Sequence, residues 1–382
     1  MRYTIGQLAE IIDGDRGKNY PKQDEFYPQG YCLFLNTGNV TKEGLIFEEN
    51  QFIMKEKDEA LRKGKLKRGD IVYTTRGTVG NAGYYNSSVP YENVRINSGM
   101  VILRSNGEIV DARFLYQILK SEYYRPYFKQ YCTGSAQPQL PIKNFSQIYL
   151  NVPDIKTQHR IADILSAYDD LIENNQKQIK LLEEAAQRLY KEWFVDLRFP
   201  GHENTKIVDG VPEGWSRGLL KELISVNYGK DHKKAPDDGN IPVYGSGGLM
   251  RKCNKSLFSG EAVLIPRKGS LNNIMYVDET FWTVDTMFYA TMKQPHTAIF
   301  VYFFVKAFDM YSINIGAAVP SMTTKILDAM DVVIPDKETL GKFDKLTKTY
   351  FNKIKTLQGQ NERLKIARDL LLAKLMSGEM EM

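Results

Sequence analysis

Apolar positions recur at alternating intervals of four and three along residues 155–194, a 40-residue stretch free of proline and glycine that opens just after Pro153. The repeating positions are Tyr168, Ile172, Asn175, Ile179, Leu182, Ala186, Leu189 and Trp193. A period of 3.5 predicts one long helix, about 60 Å if fully formed, with a seam that packs on another helix. A second stretch near the C-terminus supplies Tyr350, Ile354, Leu357, Asn361, Leu364, Arg368, Leu371 and Leu375, with Gly359 and Arg368 weakening its seam. Two equivalent seams predict two long helices buried against each other, most simply antiparallel. Asn175 and Asn361 then meet near the middle. A polar seam residue fixes register at a cost in stability, so Asn175→Leu is expected to raise thermal stability while loosening the pairing geometry.

The two stretches belong to a repeat. Residues 134–189 align without gaps on residues 316–371, with 14 identities in 56 positions, among them Gly134/Gly316, Pro153/Pro335, Asp154/Asp336, Thr157/Thr339, Tyr168/Tyr350 and Leu182/Leu364. Pro-Asp before each helix reads as a start signal, with the aspartate at the positive end of the helix dipole. Ahead of each helix the polar and apolar pattern is mixed. Runs such as 70–75 and 262–266 read as strands ending in glycine-rich turns, and 114–120 and 300–306 as short buried helices. Gly17-Lys18 matches Gly229-Lys230, and Arg76-Gly77 resembles Arg267 with Gly269, at varying offsets. The fold class is therefore α+β: two mixed α/β domains separated by two long antiparallel helices, with a pseudo-twofold internal repeat. Expected boundaries are 1–150 for the first domain, 151–197 for the first helix, 198–330 for a Pro/Gly/Asn-rich linker and the second domain, and 331–382 for the second helix.

Composition narrows the chemistry. The chain has 382 residues and a net charge of +5, with 10 Lys and Arg against 4 acidic residues over 337–377 but 6 against 7 over 155–194. The remainder is close to neutral, so a polyanion-binding face on the domains needs local clustering. Three scattered cysteines and four scattered histidines point to a reduced compartment without a disulfide or metal framework. No apolar run is long enough for a membrane span, and acidic Glu10 and Asp13 interrupt the N-terminus as a secretion signal, so a cytoplasmic location is expected.

The stretch from Gln139-Leu140-Pro141 through NVPDIKTQHRIADILSAYDDLIENNQKQIKLLEEAAQRLYKEWFVDLRFPG to VPEGW at 211–215 resembles the specificity subunits of type I restriction-modification enzymes. RGTVGNAGY at 76–84, IPVYGSGGL at 241–249, RKGSLNN at 267–273 and the terminal LMSGEMEM add to the resemblance, which covers almost the whole chain. It implies two target-recognition domains, each reading one half of a bipartite double-stranded DNA sequence, held apart by a two-helix spacer that docks two methyltransferase (modification) subunits. Restriction (motor-nuclease) subunits complete the enzyme. The resemblance further implies that this chain holds no cofactor and does no chemistry, and that S-adenosylmethionine, ATP and Mg2+ belong to the partners. From Tyr168 to Trp193 a helix rises about 38 Å, close to the ~34–36 Å between half-sites one DNA turn apart. The divergence of the two domains makes the expected target asymmetric.

Candidate DNA contacts are Lys18, Arg76 and Thr78 in the first domain, and Lys230, Lys233, Lys234, Arg267, Lys268 and Ser270 in the second. Arginine pairs bidentately with guanine or phosphate, and lysine meets phosphate as a point charge. Solvated turn cations are the bland alternative. Gln137 and Gln139 have the chemistry to read adenine, but both copies keep Gly, Ala and Pro here, which favours a turn. Enzymatic alternatives fare worse. A DNA methyltransferase acting alone needs a Pro-Pro-aromatic motif, and the chain has no Pro-Pro pair. Tyr244-Gly245-Ser246-Gly247-Gly248 is a weak stand-in for a cofactor loop, a lone nuclease needs clustered carboxylates, and there is no P-loop. A helical scaffold joining protein partners without DNA remains open on sequence features alone.

Overall fold

Short apolar runs bounded by glycine become strands, and both seams become helices, in the computed structural model, which describes residues 1–134, 137–313, 321–377 and 379. The chain divides into two compact units, Met1–Asn175 with Gly359–Met382, and Gln176–Gln358. Repeat positions 135, 136 and 316–320, and half of the terminal LMSGEMEM segment, lie outside the described residues.

In the first unit the main elements are β1 (Arg2–Thr4), β2 (Ala9–Asp13), β3 (Cys32–Leu35), β4 (Phe52–Ile53), β5 (Ile71–Thr74), β6 (Ala82–Tyr84), β7 (Val94–Ile96), β8 (Met100–Ser105), α1 (Ala112–Lys120) and β9 (Tyr149–Asn151). An antiparallel sheet runs β2-β8-β5-β6, and a smaller sheet runs β4-β3-β7. Strand β5 is buried on both faces. Ile71 and Tyr73 join the core formed with Phe114, Phe145 and Leu165, whereas Val72 joins Leu33, Tyr85 and Ile102 on the other side. That alternation follows from the two-residue period of a strand. Asp111 caps α1 by accepting from the Phe114 amide at 3.0 Å.

The second unit contains β10 (Ser216–Leu219), β11 (Ile224–Tyr228), β12 (Ile241–Gly245), β13 (Gly248–Cys253), β14 (Phe258–Pro266), β15 (Met275–Thr283), β16 (Met287–Met292), α2 (Ala298–Lys306) and β17 (Asp331–Ile334). Its six-stranded sheet runs β11-β16-β14-β15-β12-β13. The first four strands in that order repeat the succession β2-β8-β5-β6 of the first unit. Phe288, Phe300, Phe303 and Phe343 form the heart of its core. The glycine-rich 244–248 segment is the turn of the β12–β13 hairpin, with no helix after it to bind a dinucleotide.

The long helices are α3 (Ile155–Tyr190) and α4 (Lys337–Ser377), each contributing to both units. Their starts are built alike. Asp154 accepts from the Thr157 amide at 3.1 Å and its hydroxyl at 2.7 Å, and Asp336 accepts from the Thr339 amide at 2.9 Å and hydroxyl at 2.7 Å. These bonds satisfy donors that the helix leaves unpaired at its N-terminus. Just before each helix, the first and last strands of the globular part pair antiparallel: β1 with β9, and β10 with β17.

Candidate nucleic-acid interface

In the first unit, four strand ends meet at one end of the main sheet. Asp13 at the end of β2 faces Val101, Thr74 at the end of β5 faces Met100, and Tyr73 faces Ala82 at the start of β6. The loops that leave this end are stitched together. The Thr75 and Arg76 amides donate to the Gly99 carbonyl at 2.9 and 3.1 Å, and Arg16 Nη2 donates to the Ser98 carbonyl at 3.1 Å. Lys18, Arg76 and Thr78 are exposed on these loops. Gly77, at φ +69°, lets the 75–81 turn reverse without strain. Leu140 joins the same end, its amide donating to the Thr75 carbonyl at 2.9 Å. Gln139 pairs with Thr133 through its backbone in both directions, and Gln137 and Gln139 are exposed.

The second unit repeats this arrangement. Tyr228 at the end of β11 faces Phe288, and Pro266 at the end of β14 faces Met287. Loop 229–234 leaves β11 as the Lys18 loop leaves β2, and turn 267–274 leaves β14 as the Arg76 turn leaves β5. The Gly229 amide donates to the Met287 carbonyl at 3.0 Å, and the Lys230 amide to the Thr283 carbonyl at 2.9 Å. A side chain at Gly229 would place its Cβ 1.9 Å from the Val284 carbonyl oxygen, so glycine is required where the backbones approach. Lys230, Lys233, Lys234, Lys268 and Ser270 are exposed. Asp231 caps the Lys233 turn by accepting from its amide at 3.0 Å.

Arg267 has a different setting from the lysines. Its Nη1 donates to the Asp285 carbonyl at 2.9 Å, and its guanidinium stands 5.1 Å from the Tyr228 ring centre and 5.3 Å from that of Phe288. Part of its donor capacity thus holds the turn. The β12–β13 hairpin closes the cluster, with Asn273 Nδ2 donating to the Ser246 carbonyl at 2.8 Å.

The seam positions divide between the units. In the first, Ile172, Asn175 and Asn361 are buried, and Tyr168, Leu364 and Leu371 are partly buried. Asn175 Nδ2 donates to Asn361 Oδ1 at 2.8 Å, and Asn361 Nδ2 reaches the Ile172 carbonyl at 3.5 Å. In the second, Ile354 and Leu357 are buried, and Ile179, Leu182, Leu189 and Tyr350 are partly buried. Arg368 corrects the sequence expectation, because it is not a flaw in the seam. Its Nη1 pairs with Asp169 Oδ1 at 2.6 Å and its Nη2 with Asp369 at 2.9 Å. Asp169 also accepts from Lys120 Nζ at 3.1 Å and Gln117 Nε2 at 2.7 Å, which joins α1, α3 and α4. Burial alone would raise the Asp169 carboxyl; Lys120 and Arg368 outweigh it and hold its pKa below the ordinary value. Nor does Gly359 break α4, which runs through it without interruption.

Among the described residues no helix is long and apolar enough to cross a membrane. The stitched loops have positive, hydroxyl and amide groups, and among the described residues no three His, Cys, Asp or Glu side chains are grouped so as to hold a metal ion. Such loops suit phosphates and base edges better than a reaction.

A family model described as the type I restriction modification DNA specificity domain matches residues 1–184 and 212–365. The chain is 25% identical over 367 residues to the type I restriction enzyme MjaIX specificity subunit of Methanocaldococcus jannaschii, covering 85% of this chain and 81% of that protein. It is 24% identical to the HindI specificity subunit of Haemophilus influenzae, covering 98% of this chain and all of its relative. A crystal structure of the S subunit from a type I restriction-modification system of M. genitalium shares the fold with a TM-score of 0.58 and 18% identity, covering 100% of this chain and 96% of that one.

Proposed function

Because the chain belongs to the type I restriction-modification DNA specificity family, whose specificity subunits are non-catalytic, we propose that its two units read the two halves of a bipartite, asymmetric double-stranded DNA target. The observation that carries this reading is the equivalent placement of candidate contacts. Lys18 and Lys230 follow corresponding strands, as do Arg76 and Arg267, on loops at one end of sheets with the same strand succession. Lys18, Lys230, Lys233, Lys234 and Lys268 take phosphates. Arg76, Thr78 and Ser270 lie where base edges or phosphates come within reach, and Arg267 orders its turn while offering its free edge.

Regions 1–150 and 198–330 act as the recognition domains, and 151–197 with 331–382 as the spacer. The helices dock two methyltransferase subunits, and a restriction subunit joins the assembly in the cytoplasm. S-adenosylmethionine, ATP and Mg2+ are bound by those partners. The half-sites have centres about ten base pairs apart. Methylation profiling of DNA exposed to the assembled complex tests this directly and is expected to show two unlike short segments separated by a fixed gap. One contiguous methylated site would overturn it. Absence of any sequence-dependent mobility shift, with and without the methyltransferase, would favour a protein scaffold instead.

A further inference from the structure

The tip of the β12–β13 hairpin carries two large apolar side chains that the DNA-reading loops do not need for their own packing. Leu249 is 59% exposed and Met250 54% exposed, on the last strand of the six-stranded sheet. Leu249 stands opposite Tyr244, and Met250 leans toward Gly245, where a Cβ would lie 2.4 Å from its Sδ. Exposed leucine and methionine together on a sheet edge are costly in water and invite aggregation unless something covers them.

Their surroundings indicate what covers them. On one side, Arg251 Nη2 donates to the Ala235 carbonyl at 2.7 Å and Lys255 Nζ to the Lys234 carbonyl at 3.4 Å, which ties the lysine turn to β13. Lys233, Lys234, Lys252 and Lys255 are exposed there. On the other side, Asn273 holds Ser246, the first residue of the hairpin turn, against the turn bearing Lys268 and Ser270. An apolar tip between two cationic shoulders is complementary to a partner with anionic rails and an apolar interior, which is the cross-section of duplex DNA.

We propose that Leu249 and Met250 form a wedge that enters between base pairs beside the half-site read by the second unit, partly unstacking the step while the flanking lysines hold the phosphates. This rests on the DNA reading above and adds to it a distortion of the duplex. Unstacking unwinds DNA, so it can be measured without knowing the target. The full chain is incubated with closed circular plasmid, the DNA is relaxed with a topoisomerase, and the topoisomers are resolved after protein removal.

Wild-type protein is expected to lower the linking number in proportion to protein bound. The Leu249→Ser/Met250→Ser variant is expected to bind plasmid within about fivefold of wild type and to leave the linking number at that of free DNA. The exchange Leu249→Met/Met250→Leu, which keeps the apolar volume, restores the shift. Lys233→Gln/Lys234→Gln weakens binding and flattens the slope of log affinity against log salt by roughly 2. Retention of the full linking-number change in the double serine variant overturns the wedge, as does wild-type binding without any change. Failure of the wild type to bind plasmid both alone and with the methyltransferase subunits overturns the DNA reading itself, an outcome distinct from either of these.

Discussion

Replacing Asn175 with leucine strands a buried partner, since Asn361 loses the 2.8 Å bond that satisfies its carbonyl oxygen. The single change is therefore expected to destabilise by about 1–3 kcal/mol, the reverse of the rise expected from the seam pattern, which counted the cost of a polar pair in the seam but not that of the Asn361 carbonyl left unpaired when only one member is replaced. Converting both asparagines to leucine removes the penalty and should raise stability above wild type. A thermal-denaturation double-mutant cycle measures the coupling, and additive effects would mean that the amides do not act as a pair. Asp336 offers a second check. It accepts from Thr339 and also from Trp215 Nε1 at 2.9 Å, so Asp336→Ala is expected to cost about 1 kcal/mol or more in urea unfolding. Asp154 caps an exposed helix start without a tryptophan bond, and its substitution should cost less. Both caps were legible in the sequence because Pro-Asp and the following threonine recur at the same offset. The anchoring of Arg267 was not, since it depends on Tyr228 and Phe288 from other strands.

Among elements, the long helices show why local pattern both succeeds and misleads. The long apolar seams, the short helices α1 and α2, and strands β5 and β14 follow from periodicity and breakers, whereas the bounds expected for the second helix, 331–382, take in strand β17 at Asp331–Ile334, and the helix itself runs Lys337–Ser377. Arg368 was misread because its partner Asp169 sits beside the seam residue Tyr168 on another helix, a contact that no one-dimensional pattern contains. Leaving Arg368 and Lys120 without that carboxylate, as in Asp169→Leu, is expected to cost about 3–5 kcal/mol. The acid dependence has a definite sign. A carboxylate whose folded pKa is depressed contributes stability that is fully present above its unfolded value of about 3.9 and is lost as pH falls through the folded value. The wild type should therefore lose more stability than Asp169→Asn between pH 5 and the acid limit, measured by denaturant unfolding at fixed pH.

For the whole molecule, two similar but diverged units should fail separately. Arg76→Ala, assayed by methylation profiling of the assembled complex, is expected to relax or weaken one half-site and leave the other unchanged, whereas Lys268→Ala affects only the opposite half. Loss of both halves together would show that the units do not read independently. Each phosphate-contacting lysine removed should lower the salt slope by about 1. The doubled architecture was visible in the repeat, and the chain positions that pair Lys18 with Lys230 and Arg76 with Arg267 could be read from it. The bases were not, because the conformation of loops 75–81 and 267–274 is set by bonds to Gly99, Ser246 and Thr286 from distant parts of the sequence.

The paired terminal strands of each globular part bear on how such a chain can change. With β1 laid along β9 and β10 along β17, everything between is a loop of chain whose two ends already lie one strand spacing apart, about 4.8 Å. A gene segment encoding that loop is an interchangeable cartridge: a foreign cartridge with the same closing ladder could be spliced in with both rods left intact, giving a new binding preference in a single genetic event.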